Sequence, residues 1–400
     1  MEKPRRRNLG PRPVVEAVMG RFLLPRGLAL AALMIAFAIV PRHWCQTGAG
    51  AFWSGDRGRV RAFGANVDRH VGELPSGRFS TGSRRFDGEW HFGTAMMAAM
   101  GFGQTAREHA ELGPEALARM DRALDAMLSP RARAFDAEAW GEDPLASLDG
   151  DRGHAAYLGY ANLALSVRRF IEPESRFAAL NDRISATLER RLAAADAQVI
   201  ETYPGEIYPV DNAAVAASIA LRARALGQTP PAVVDQFLRQ LRERFVDPKT
   251  GLLHQSLGSD RRVADAPRGS GTALAAYFLS FADDGASRAL HRALRAELGG
   301  TVAGFGVVRE YPRGSAFRPG DIDSGPLVFG FSISAMGFGL SGCRTHGDRA
   351  CFTELYRAFY LFGAPVALGG EHAFASGGPL GNAIVLAMLT AQPASAWRRA

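Results

Sequence analysis

The sequence predicts an all-α chain. It reads as an (α/α)6 toroid or barrel with small β-hairpins in its loops, preceded by one N-terminal membrane helix. Three observations predict this. Two kinds of apolar segment alternate from about residue 90 onwards, one kind recurs at a nearly constant interval, and the first forty-five residues differ in charge and hydropathy from the rest.

The N-terminal elements come first. Residues 1–21 form a basic tail, 22–40 a signal anchor or transmembrane segment, 41–54 a linker and 55–400 the toroid domain. Gly27 to Val40 is a run of fourteen residues without a charge, extended on its N-terminal side by Phe22, Leu23 and Leu24 beyond Pro25 and Arg26. Basic residues crowd the N-terminal flank, and a positive flank stays cytoplasmic. Pro41-Arg42-His43-Trp44 follows the run where a small-x-small cleavage site would stand, and Cys45 lacks the residues of a lipobox. An uncleaved, single-pass anchor in the inner membrane is expected, with the main domain in the periplasm or outside the cell.

Charge agrees with this division. The net charge of the chain is +7, and residues 1–45 hold eight Lys or Arg against two acids, so the remaining residues are nearly neutral. The basic character belongs to the anchor, and no nucleic-acid partner is expected.

The helices follow in order. Trp90–Gly103, His154–Val167, Pro209–Ala223, Gly269–Ala282, Ser324–Leu340 and Ser376–Ala391 are rich in Ala, Gly and Ser and nearly free of charge. Helices apolar all round are buried all round. Between them stand Pro114–Leu128, Ser175–Leu192, Pro231–Val246, Ala286–Leu298 and His346–Phe362, each with one apolar stripe and a charged face. These read as surface helices. The intervals between the small-residue segments run from 52 to 64 residues, the mark of a repeated helical hairpin. Six such units suffice to close a ring; an open α-solenoid is the rival. Arg59–Leu74 would supply the sixth outer helix. Gln198–Tyr203 and Thr301–Arg309 read as short hairpins in the loops.

In an alternating ring all inner helices run one way, so the loops entering them open on one face. Those loops carry Asp87, Glu89, Trp90 and His91; Asp149, Asp151 and His154, with Tyr157 and Tyr160 one turn inside; Tyr203, Glu206, Tyr208, Asp211 and Asn212; Asp265, Arg268 and Ser270; Asp321 and Asp323; and Glu371 and His372. Helix capping by Asp or Ser accounts for single acids in such loops. It does not account for the aromatics and imidazoles on the same rim. Convergent polar groups at one concave end define a candidate site.

Carboxylates with aromatic faces suit a sugar, and glycoside hydrolysis needs two carboxyls flanking the bond. Asp211 or Glu206 on the third loop, facing Asp321 or Asp323 on the fifth, is the expected catalytic pairing, with His154 as a further candidate. Trp90, Glu89, His91, Tyr157, Tyr160, Tyr208, Asn212, Arg268, Glu371 and His372 are the expected substrate-binding residues. A lyase, dehydratase or isomerase using Tyr208, His154 or His372 as proton shuttle stays open beside the hydrolase, as does a non-catalytic glycan-binding toroid.

The hairpin count and rim residues resemble the six-hairpin (α/α)6-toroid superfamily, glycosidase-like in type, which also includes polysaccharide lyases and sugar epimerases. The resemblance spans residues 55–400 and implies a carbohydrate-active enzyme. Tyr203-Pro-Gly-Glu206-Ile-Tyr208-Pro-Val-Asp211-Asn212 and the tyrosine-bearing segment from His154 also resemble the linalool dehydratase-isomerase family. That likeness implies a cysteine pair in the third-unit loop, yet no cysteine lies between residues 46 and 342.

Cys343 and Cys351 flank a polar loop, CRTHGDRAC, and a local disulfide is expected outside the cytoplasm. A metal pair including His346 is the alternative there. No HExxH signature, phosphate loop or G-x-S-x-G elbow occurs, and neither cofactor nor metal is expected.

Overall fold

The computed structural model describes residues 39–315 and 318–399, together with Ala29, Leu33 and Ile35. The expected tail 1–21 and most of the segment 22–40 lie outside the described residues. Among the described residues, no helix is long and apolar enough to cross a membrane.

Six inner helices span Arg84–Glu108, Ala155–Ile171, Pro209–Ala225, Gly269–Leu279, Ile333–Thr345 and Gly378–Leu389. The outer helices are Arg57–Glu73, Gly113–Met127, Ala178–Ala194, Ala232–Gln240, Asp284–Ala293 and Arg349–Gly363, the fourth and fifth of these continuing into π turns at Leu241–Phe245 and Leu294–Leu298. Each inner helix packs on the next, and the sixth packs back on the first. An open solenoid has no such contact between its ends, so the ring is closed.

Small side chains make this possible. Ala213 to Ala217 and Ala220 of the third inner helix are buried on every side. A Cβ on Gly101 would stand 2.6 Å from Leu386 Cγ of the sixth inner helix, and one on Gly159 would stand 2.8 Å from Val215 of the third. Glycine is needed where inner helices touch at these two points. The outer helices bury one stripe each, as with Met120, Leu124 and Met127.

Two boundaries depart from the sequence reading, and one helix is additional to it. The first inner helix begins at Arg84, capped by Ser83 Oγ on the Phe86 amide, so Glu89, Trp90 and His91 lie within the helix and not before it. The fifth begins at Ile333, because Gly325 and Gly330, both at positive φ, turn residues 327–332 into a hairpin that separates Asp323 from the helix. An unexpected helix, Pro130–Trp140, stands between the second outer and second inner helices.

Four two-stranded antiparallel hairpins decorate the ring: His254–Leu257 with Val263–Pro267 (β1, β2), Gly299–Val302 with Phe305–Val308 (β3, β4), Leu327–Val328 with Phe331–Ser332 (β5, β6) and Pro365–Leu368 with Glu371–Phe374 (β7, β8). All four join an outer helix to the next inner helix, on the face where the inner helices begin. Gln198–Tyr203 forms no strand; Tyr203 makes a single bridge to Glu206 instead.

On the opposite face, Cys343 and Cys351 are disulfide-bonded across the turn between the fifth inner helix and its outer partner, with Cα atoms 5.6 Å apart. The imidazole within 4.8 Å of both sulfurs is His291, while His346 bonds Ser287 Oγ at 3.0 Å.

Candidate active site

The rim brings Glu89, Asp211 and Asp323 together from the first, third and fifth units. Asp211 sits in the first turn of the third inner helix, where Pro209 fixes the backbone and Tyr208 holds the N-cap position without a side-chain cap. Its carboxylate does not cap the helix. It accepts a 2.7 Å hydrogen bond from the Tyr160 hydroxyl and a 2.8 Å bond from Thr202 Oγ1. Burial pushes Asp211 up to about 6; the two hydroxyl bonds oppose that rise and the Asp323 charge adds to it.

Glu89 faces inward from the first inner helix. Its Oε1 accepts a 2.5 Å hydrogen bond from the Tyr203 hydroxyl, and Arg85 Nε, one turn earlier, lies 3.5 Å away. Burial raises Glu89 to about 7 against the lowering effect of the Tyr203 bond, and the charges of Asp323 and Asp211 raise it further. Glu89 thus feels the charges of both Asp211 and Asp323, and Asp211 feels that of Asp323.

Asp323 is open to solvent, and its carboxylate accepts no hydrogen bond among the described residues. The fifth inner helix is capped by Ser332, not by Asp323. Surrounding protein and the Asp321 charge raise Asp323 above the ordinary aspartate range. Asp323 is thus solvent-accessible while protein surrounds it closely.

The other expected catalytic residues are engaged elsewhere. Asp321 binds the Arg268 guanidinium and accepts from the Ser324 amide at 2.9 Å. Burial favours its neutral form, but these partners outweigh burial and hold it low. Glu206 pairs with Arg85 at 3.2 Å and accepts from the Tyr208 hydroxyl at 3.2 Å. His154, an expected catalytic candidate, is wholly buried, bonds Asp136 at 2.5 Å through Nδ1, and lies near the Trp140 ring. It is a structural histidine in a left-handed turn at the head of its helix.

Several expected binding residues are also structural. Tyr157 is fully buried and donates to the Met127 carbonyl. Asn212 is fully buried and latches the Ile200 backbone at 2.8 and 3.1 Å. Arg268 is held by Asp265 and Asp321, and Glu371 by Asn66 and Arg69 of the first outer helix. His91 is buried, and burial pushes it down to about 4. His372 lies on β8 opposite Ala367, outside the carboxylate group. Trp90 and Tyr208 stay partly open, Trp90 edge-on to Phe79 at 5.8 Å. Tyr160 is partly open as well, with its hydroxyl on Asp211.

Sequence reasoning did not single out Arg85, whose guanidinium lies 3.5 Å over the Tyr203 ring while pairing with Glu206. Thr202 and the buried Glu310 were missed too. Glu310 accepts from Ser270 Oγ at 2.6 Å and the Ser270 amide at 3.2 Å, at the head of the fourth inner helix. Its one sequence signal is an acid two residues after the apolar strand Phe305–Val308.

No family model matches the chain, and no curated protein matches it in sequence. Solved structures match its fold. An unsaturated glucuronyl hydrolase specific for heparin aligns with a TM-score of 0.52 at 10% identity, over 84% of this chain and 96% of that one. An inactive double Asp-to-Asn variant of an alpha-1,6-mannanase of Salegentibacter sp., in complex with alpha-1,6-mannotriose, aligns with a TM-score of 0.50 at 10% identity, over 82% and 98%. The fold is therefore that of the six-hairpin (α/α)6 toroids, with glycoside hydrolases among the similar structures.

Proposed function

We propose that this chain is a membrane-anchored, extracytoplasmic glycoside hydrolase acting on an envelope or extracellular glycan. The observation that carries the reading is the group Glu89, Asp211 and Asp323: three carboxylates from three units, none used as a cap, two of them raised to about 7 and about 6. A proton donor for a leaving glycosidic oxygen must be protonated near working pH, and burial gives Glu89 that property. A base that activates water needs solvent access, which Asp323 has. We assign Glu89 as acid and Asp323 as base, with Asp211, held by Tyr160 and Thr202, sustaining the field that keeps Glu89 protonated.

The names of the two similar structures, both sugar hydrolases, support the substrate class. The elimination or isomerisation reading is less well supported: His154 is enclosed, and burial pushes Tyr160 and Tyr208 well above the ordinary phenol range, which keeps them protonated and leaves no phenolate to act as base. Anchoring and an extracytoplasmic location are supported by the basic-then-apolar N-terminal sequence and by the Cys343–Cys351 disulfide.

The test is incubation of the full chain, in detergent, with envelope polysaccharide, read by mass spectrometry. Fragments that gain one water, absent with Glu89→Gln and Asp323→Asn, are expected. Unsaturated fragments would replace hydrolysis by elimination, and intact glycan would sink the enzymatic reading.

A further inference from the structure

The described surface distributes its apolar side chains unevenly. Beyond residue 45, the exposed large apolar residues are Val263, Val302 and Phe329, the pair Val366 and Leu368, and Leu361 with Phe362. The first five belong to the four hairpins, and the last two to the final turns of the outer helix Arg349–Gly363. All seven therefore lie on the face where the inner helices begin, which is the face of the carboxylate funnel. Phe329 is 89% and Leu368 is 85% exposed, on the tips of their turns. The opposite face is turned by polar segments such as Glu172–Glu174, Gln228–Thr229 and Asp283–Asp284. A soluble surface scatters its exposed apolar residues singly; clustering on one face marks a contact surface.

The described N-terminal chain leaves the body beside the β3–β4 hairpin. Arg357, one turn before Leu361, donates to the Gly304 carbonyl at 2.9 Å and to Gln46 Oε1 at 2.6 Å. It thus ties the linker to the tip of the β3–β4 hairpin, beside Val302. Arg42 lies against Gly304 itself. Trp44 is 70% exposed, and Ile39 and Val40 continue its helical segment as exposed apolar residues. The described end of the apolar run 22–40, Ile39 and Val40, thus lies two residues from Arg42 and the hairpin tip. A tryptophan at that junction suits the interfacial layer of a bilayer.

We propose that the rim itself rests on a phospholipid bilayer, so that the Glu89–Asp211–Asp323 funnel opens toward the membrane and receives the glycan portion of a membrane-attached substrate. The inference rests on the anchoring proposed above and deepens it. Aliphatic tips have no hydrogen bonds to offer a soluble glycan, but they gain by entering the headgroup boundary. The anchor fixes which surface they meet.

The experiment uses the full chain reconstituted in phosphatidylcholine–phosphatidylglycerol vesicles with brominated acyl chains. An environment-sensitive fluorophore is placed on Leu368→Cys, Val302→Cys or, on the opposite face, Gln228→Cys, with the unlabelled-site parent as blank for Cys45. The expected result is flotation with the vesicles and quenching several-fold greater at Leu368 and Val302 than at Gln228. Flotation with equal quenching at all three positions would overturn the rim contact and leave the anchor standing. Absence of flotation would overturn the anchoring itself and the rim contact with it.

Discussion

The Tyr203 hydroxyl donates to Glu89 Oε1 at 2.5 Å, joining the loop before the third inner helix to the first inner helix. Glu89 reaches about 7 despite this bond, which favours its ionised form. Burial and the charges of Asp323 and Asp211 prevail over the Tyr203 hydroxyl and Arg85, and the balance can be shifted from either side.

Removing the Tyr203 hydroxyl shifts it upward. If Glu89 is the general acid, activity falls as pH rises through its pKa. Tyr203→Phe deletes a bond that lowers that pKa, so the alkaline limb of kcat/KM moves to higher pH. A pH–rate profile of the two proteins checks this; an unmoved limb assigns the acid elsewhere.

Removing the carboxylates shuts down proton transfer. Glu89→Gln and Asp323→Asn should each lower kcat by about 10²–10⁴-fold, the range for general acid–base groups. Asp323→Asn should leave the thermal midpoint unchanged, since its carboxylate holds no hydrogen bond. A loss of stability equal to the loss of activity would make Asp323 structural.

Glu89 also links stability to pH. Its folded value of about 7 exceeds 4.5, so the folded state binds more protons between those values. Stability therefore falls as pH rises through that window. The full shift corresponds to about 3 kcal/mol, and partial solvent access reduces it to about 1–2 kcal/mol. Glu89→Gln should be more stable than the parent at pH 8 and close to it at pH 4, as read by calorimetry. This is the usual conflict of stability with a functional carboxylate.

The His154–Asp136 pair belongs to the fold. Asp136→Ala leaves the buried Nδ1 of His154 without its partner and should cost about 3 kcal/mol in denaturant unfolding. Activity per folded molecule should not change. A kcat loss at full stability would return His154 to the chemistry.

The disulfide closes a loop of eight residues' separation. Chain entropy puts its contribution at about 2.5 kcal/mol. Reduction, or Cys343→Ser with Cys351→Ser, should lower the thermal midpoint without altering kcat/KM.

Loop position singles out Asp211 and Asp323, two of the acids on which the proposed function rests. Glu206 and Asp321 looked equivalent to them in sequence and are not. Their partners, Arg85 and Arg268, stand 121 and 53 residues away, so the ion pairs are invisible to local pattern. Glu89 read as a binding residue because its helix was taken to start at Trp90. The Ser83 cap extends that helix and turns Glu89 into the funnel. His154 read as catalytic because its partner, Asp136, lies on a helix with too weak a periodicity to be expected.

The alternation of small-residue and striped helices determined the hairpins and the face on which the chemistry gathers, since burial all round demands Ala, Gly and Ser and burial on one side demands a stripe. The N-terminal charge and hydropathy determined the expectation of an anchor. Tertiary structure alone decided that the ring closes, which acids stay uncompensated and where the apolar tips point. Those depend on distances between residues far apart in the chain, and pKa values follow burial and neighbouring charge in space.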